Sequence, residues 1–110
     1  MVPTYNFQMH SNILYALNKH NDLIPTPHLT ILDAAILSLA KSFYETGSKL
    51  FMSNKELGRL LLSDPGTVQR SIDRLITAGL LKKEKEYIGA KPRRYLLYQQ
   101  DAVQRLYDLL

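Results

Sequence analysis

The chain has 110 residues, with 14 Lys plus Arg against 10 Asp plus Glu and no cysteine, for a formal charge of +4. A chain this long is expected to form one domain over residues 1–110, burying roughly two-thirds of the surface its unfolded form exposes without a disulfide or metal staple. The lack of cysteine excludes thiolate-bound zinc, thiol nucleophiles and disulfide frameworks, and suits a reducing compartment. No apolar run approaches the roughly 18 residues of a membrane span, and the N-terminus carries no basic-then-apolar secretion signal, so a cytoplasmic protein away from membranes is expected.

Apolar residues at Ile13, Leu14 and Leu17 predict a short helix within 7–19. The stretch 18–28, with Asn, Asp and two prolines, breaks that pattern. Thr30 followed by Asp33 resembles a capping box, and Leu32, Ala35, Ile36, Leu39, Ala40 and Phe43 lie on one stripe, which predicts a helix over 31–45 ended by Gly47. Residues 49–52 read as a brief strand or packed connector. Ser53 and Glu56 form a full S-x-x-E capping box, so a second helix starts at Asn54 and turns Leu57, Leu60 and Leu61 inward. Asp64 and Pro65 then open a third helix with Val68, Ile72, Leu75 and Ile76 on its buried stripe, closed by Ala78 and Gly79. A β-hairpin follows, with strands over 80–88 and 94–98 and a turn over 89–92. Last comes a short amphipathic helix over 101–110, capped by Asp101 and carrying Val103, Leu106, Tyr107 and Leu110.

Charge is distributed unevenly along this order. Residues 1–48 hold two basic and three acidic side chains, whereas 49–110 hold 12 and seven. Within the second part, 82–94 (KKEKEYIGAKPRR) carries six basic residues and two acidic ones. Such an asymmetry points to a polyanion partner, against the plainer reading of a solvated basic loop.

The segment 53–81, SNKELGRLLLSDPGTVQRSIDRLITAGLL, resembles the bacterial helix-turn-helix pattern in which E-L-A-x-L-L-G leads through a turn to a T-V-x-R-x-I-x-x-L recognition helix ending in A-G-L. With the basic hairpin, the similarity extends to Tyr98 and implies a mainly α fold with a small β-hairpin, a winged helix-turn-helix. Its helix-turn-helix would span about 53–79 and its wing about 80–98. The nearest likeness is to winged-helix proteins of Gram-positive plasmid and phage replication and regulation. Two positions depart from the pattern: Gly58 stands where a small alanine is usual, and Leu62 where a turn glycine is usual.

The residue types support double-stranded DNA as partner independently of the resemblance, because a helix fits the major groove and reads base edges from its exposed face. With the apolar stripe buried, the third helix leaves Pro65, Gly66, Thr67, Gln69, Arg70, Asp73 and Arg74 on its other faces. Gln69 suits adenine and Arg70 guanine, Thr67 suits a phosphate or a thymine methyl, and Gly66 permits close backbone approach. Thr67 as a mere cap, Asp73 and Arg74 as salt-bridge partners of Lys or Glu neighbours, and Arg70 as a solvated surface residue are the structural alternatives. Asp73 is read as structural, since an acid facing phosphates is repelled. Lys83, Lys85, Lys91, Arg93 and Arg94 of the hairpin are expected on phosphates or in the minor groove, and Ser53, Asn54 and Lys55 at a phosphate beside the second helix. His10, His20 and His28 share no face, and there is no nucleophile elbow or phosphate-cradling loop, so no enzyme activity, metal, cofactor or small-molecule effector is expected. A homodimer is expected from the usual two-half-site logic, with the apolar terminal helices either forming its surface or packing inward. A transcriptional regulator ranks first; a plasmid or phage replication initiator, a partition adaptor and a winged-helix protein-interaction module stay open.

Overall fold

The structure is a computed structural model that describes residues 29–108. The helix expected within 7–19, the break at 18–28, the three histidines and Leu110 lie outside the described residues.

Helix α1 (Ile31–Glu45) starts where Thr30 and Asp33 satisfy one another. The Thr30 hydroxyl oxygen accepts from the Asp33 amide at 3.3 Å, and the Asp33 carboxylate accepts from the Thr30 amide at 2.8 Å. Aspartate is the shorter relative of the usual glutamate in this reciprocal cap, yet both bonds form. The helix ends at Gly47, which takes a left-handed φ of +75°. Ala34, Ile36, Leu37, Leu39 and Ala40 are all buried, so the helix is surrounded on more than one side. That corrects the single stripe: Ala34, Leu37 and the charged Asp33 are inside, whereas Leu32, Ala35 and Phe43 are only half-buried. Ser38 and Ser42 accompany them inward, their hydroxyls donating to the carbonyls four residues earlier.

Leu50 bridges Leu96 as a one-residue strand, which places the 49–52 connector beside the hairpin. Helix α2 (Asn54–Leu61) follows from the Ser53–Glu56 box, with Ser53 accepting from the Glu56 amide and Glu56 accepting from the Ser53 amide, both at 3.1 Å. Leu57 is fully buried, but Leu60 is 52% exposed, so only Leu57 and in part Leu61 fill the inward role expected of all three.

Between α2 and helix α3 (Pro65–Thr77) the chain turns in three residues. Leu62 adopts the left-handed conformation, φ +56°, in the place where a glycine is usual. Gly58 makes the turn possible: a Cβ there would run into the Ser63 carbonyl oxygen, and the Gly58 carbonyl accepts from the Ser63 amide at 2.9 Å. The glycine therefore permits the close approach of the turn to α2. Helix α3 begins as expected on an Asp64 cap with Pro65 in its first turn and ends at Ala78 and Gly79.

Strands β1 (Leu81–Ile88) and β2 (Lys91–Tyr98) pair antiparallel from Leu81↔Tyr98 to Ile88↔Lys91. The turn is thus Gly89 and Ala90 alone, half the expected span, because Lys91 and Pro92 already belong to β2. Gly89 supplies the positive φ that so tight a connection needs. At the base of the ribbon Leu81, Leu96 and Tyr98 enter the core, while the outer half projects into solvent. Helix α4 (Gln100–Asp108) begins one residue before the expected start, which puts Asp101 in its first turn rather than at its cap. Val103 is buried and Leu106 packs against the core, so that much of its apolar stripe is used within the chain.

Helix α1 packs on α3 and β2, α2 on α3, and α3 on β1. The described fold is mainly helical with one small antiparallel hairpin. No helix among the described residues is long and apolar enough to cross a membrane.

Candidate nucleic-acid interface

Side chains of the start of α2, of α3 and of the hairpin meet through Asn54, Gln69 and Arg94. Capping chemistry explains part of what they present. Thr67 donates its hydroxyl to one Asp64 oxygen at 2.6 Å and its amide to the other at 3.0 Å, and accepts from the Arg70 guanidinium at 3.0 Å. The two Thr67 bonds, with a smaller contribution from Arg70, hold the Asp64 carboxyl below the usual aspartate range. Thr67 is therefore a working part of the cap. Pro65 and Gly66 are exposed beside it, and a side chain at Gly66 would crowd the Asp64 carboxylate at 3.1 Å.

The start of α2 is capped in the same way, which alters what Ser53 can offer. Its amide and hydroxyl are both bound to Glu56, whose carboxyl is held low by those bonds first and by Arg93 and Arg59 after them. An anion at this helix end would meet Glu56 rather than a vacant Ser53 amide. Lys55 stays exposed.

Arg74 takes the salt-bridge alternative rather than the DNA-contact one, with a partner on α1 that is neither of the expected neighbours. Instead of lying among the exposed residues of α3, its guanidinium turns back to α1 and grips the fully buried Asp33, with Nε on one oxygen at 3.0 Å and Nη2 on the other at 2.9 Å. The buried Ser71 hydroxyl donates to the same carboxylate. Pairing with Asp33 raises the Arg74 pKa above its ordinary value. This side chain fixes α3 to α1 and leaves the candidate surface.

Arg94 is likewise held. It is half-buried in a hydrogen-bonded corner, donating to Asn54 Oδ1 at 2.6 Å and to the Met52 carbonyl at 2.7 Å. Burial lowers its pKa from the ordinary value, but a guanidinium starts so high that it keeps its charge. Asn54 in turn donates from Nδ2 to Gln69 Oε1 at 2.6 Å, and Gln69 donates from Nε2 to Asp73 at 2.9 Å. One continuous chain of side chains thus joins hairpin, α2 and α3. Asn54 and Gln69, read separately from the sequence, are direct partners.

Pairing across the hairpin sorts its cations. Lys83, Lys85 and Arg94 share the face that continues from buried Leu81 and Leu96, whereas Lys91 and Arg93 lie on the opposite face with Tyr95. On that second face Arg93 stacks over the Phe51 ring at 4.2 Å and Lys49 over the Tyr95 ring at 4.4 Å, with the two rings edge to face at 5.5 Å. Arg93 is thereby positioned against the 49–52 connector. Lys55, Arg70, Lys83, Lys85 and Lys91 are exposed and form no ion pair with another described residue.

Sequence reasoning missed Arg59, which is exposed one turn after Lys55 and adds to the same basic edge of α2. The i, i+4 spacing was the available signal. It also missed the Arg94–Asn54 contact, for which a separation of 40 residues left no local signal.

Comparison with protein-family models, with curated proteins and with solved structures gave no match to this chain.

Proposed function

We propose that the chain is a winged helix-turn-helix that binds double-stranded DNA sequence-specifically, as a small transcriptional regulator. In this reading α3 enters the major groove with Gln69 and Arg70 toward base edges, while Lys83, Lys85 and Lys91 of the hairpin meet phosphates or the minor groove and Lys55 and Arg59 meet the flanking backbone. The observation that carries it is the hydrogen-bonded alignment of the hairpin, the start of α2 and the exposed face of α3 through Arg94, Asn54 and Gln69. An amide and a guanidinium able to read bases stand between cations able to hold a backbone.

The test is selection from a pool of random-sequence duplexes at low and moderate salt, followed by sequencing of the retained fraction. Enrichment of a motif, retained at moderate salt, is the expected result; a repeated half-site in that motif would add the twofold dimer. Retention only at low salt without enrichment, or none, overturns the reading. Arg70→Ala should cost about 1–3 kcal/mol and relax one base position, whereas Lys85→Ala should weaken all duplexes alike and lower the salt slope by about one.

A second reading, a winged helix that docks on a protein, draws on Leu60 and Leu62, which are 52% and 94% exposed at the end of α2. Substituting both by serine separates the two: DNA retention is unchanged if the first reading holds.

A further inference from the structure

The four-residue chain linking hairpin to α3 has a property that its separate contacts do not. Arg94 has donors and no acceptor, so the atom of Asn54 facing it at 2.6 Å is Oδ1. That leaves Nδ2 toward Gln69, which must answer with Oε1, also at 2.6 Å. Gln69 then has Nε2 toward Asp73 at 2.9 Å, and a carboxylate is an acceptor. The two amides in the middle are symmetric in shape and easily reversed in isolation. Between a donor at one end and an acceptor at the other, only one arrangement of both is self-consistent. Turning either over sets two donors or two acceptors face to face.

Gln69 keeps unused capacity within that arrangement. Its oxygen has a second lone pair and its nitrogen a second N–H, since Asn54 and Asp73 each engage one of them. An acceptor beside a donor is the complement of adenine's N6 amino group and N7 in the major groove. A freely turning glutamine offers these in either order, and a held one offers a single order.

We infer that Arg94, Asn54 and Asp73 are positioning residues that fix the direction of the Gln69 amide, so that the protein reads adenine at one position and in one strand orientation. The inference rests on the DNA reading above and deepens it. Asp73 then belongs on the exposed face for a reason: its repulsion of phosphates is offset by what it imposes on Gln69. A bare Gln69 would discriminate adenine from the other bases; the chain adds discrimination of an A·T pair from a T·A pair.

The experiment is the random-duplex selection run on the full chain and on Gln69→Ala, Asp73→Asn and Asn54→Ala, with thermal melts on each to establish that it is folded. Asp73→Asn is isosteric at an exposed site, and its amide can donate or accept, which releases the direction of Gln69. The wild type should select one adenine, lost in Gln69→Ala. In Asp73→Asn and Asn54→Ala the A·T over T·A preference at that position should fall about tenfold, the scale of one bidentate contact, relative to the preferences at the other selected positions, and in Asp73→Asn the affinity for random duplex at low salt should not fall, because a charge that repels phosphates is removed. A wild-type motif with no adenine sensitive to Gln69→Ala overturns the inference and leaves DNA binding standing. Retention of the wild-type preference by both positioning variants likewise overturns the inference alone. Absence of any enrichment by the wild type overturns the DNA reading and the inference together.

Discussion

Two polar networks flank α3, and both run between an arginine and an aspartate. On the α1 side, Asp33 is completely buried and accepts from Thr30, Ser71 and two nitrogens of Arg74. On the hairpin side, Arg94, Asn54, Gln69 and Asp73 form an open line that ends on an exposed residue. The closed network holds a charge that burial would make costly if any partner were missing, so its chemistry is used up in holding α1 and α3 together. The open line leaves donors and acceptors unspent at a surface. The same residue types therefore fasten a helix where water is excluded and prepare it for a ligand where water is admitted.

The largest effect is expected from breaking the closed network. Asp33→Ala strands the half-buried Arg74 and the buried Ser71 hydroxyl, and should cost about 3 kcal/mol, toward the low end for a broken buried pair because Arg74 is partly exposed. Urea denaturation measures it. Adding Arg74→Met should restore at least about 1 kcal/mol by removing the orphaned charge. Equal stability of the single and double variants would show that Asp33 acts through its cap alone.

This contrast also explains what the sequence could and could not disclose. Caps are local: Thr30 with Asp33, Ser53 with Glu56 and Asp64 with Thr67 each close within three residues, so the starts of α1, α2 and α3 could be read directly. The half-buried Gln69 and the exposed Arg70, both off the buried stripe, followed from the apolar spacing of α3. Arg74 could not be placed, because its partner lies 41 residues away and a charged residue beside an apolar stripe is ordinarily solvated. Asp33 was legible as a cap and illegible as a buried anion for the same reason. Leu60 was misplaced because an eight-residue helix with three leucines buries only the side that faces α3.

A mid-sized effect should come from the turn that sets α2 against α3, and so the reach from Asn54 to Gln69. In an open helix, Gly→Ala is stabilising by up to about 1 kcal/mol. At Gly58 the added Cβ strikes the Ser63 carbonyl oxygen, a backbone atom, so Gly58→Ala should instead destabilise by about 2 kcal/mol. Because α2 must move to relieve the clash, the variant should disturb the Asn54–Gln69 contact while sparing Asp33 and Arg74, which side-chain amide shifts in NMR spectra would register. The opposite sign is expected at Leu62, exposed and left-handed, where Leu62→Gly should gain up to about 1 kcal/mol by removing backbone strain. A loss there would mean that the leucine packs in the folded protein.

The smallest effect is expected from the exposed caps and is read by acid. The carboxyls of Glu56 and Asp64 are held below their ordinary range by their capping bonds, so both keep a proton off more readily in the folded chain than in the unfolded one. Their contribution is then fully present above the ordinary carboxylate range and is lost as pH falls through the lowered folded values. Asparagine caps a helix about as well as aspartate, and glutamine can replace glutamate in the capping box, but neither titrates there. The double variant Glu56→Gln, Asp64→Asn should consequently fold like the wild type near neutrality and show a shallower loss of urea stability on acidification. If the two slopes coincide, the exposed caps contribute nothing to the pH dependence of stability.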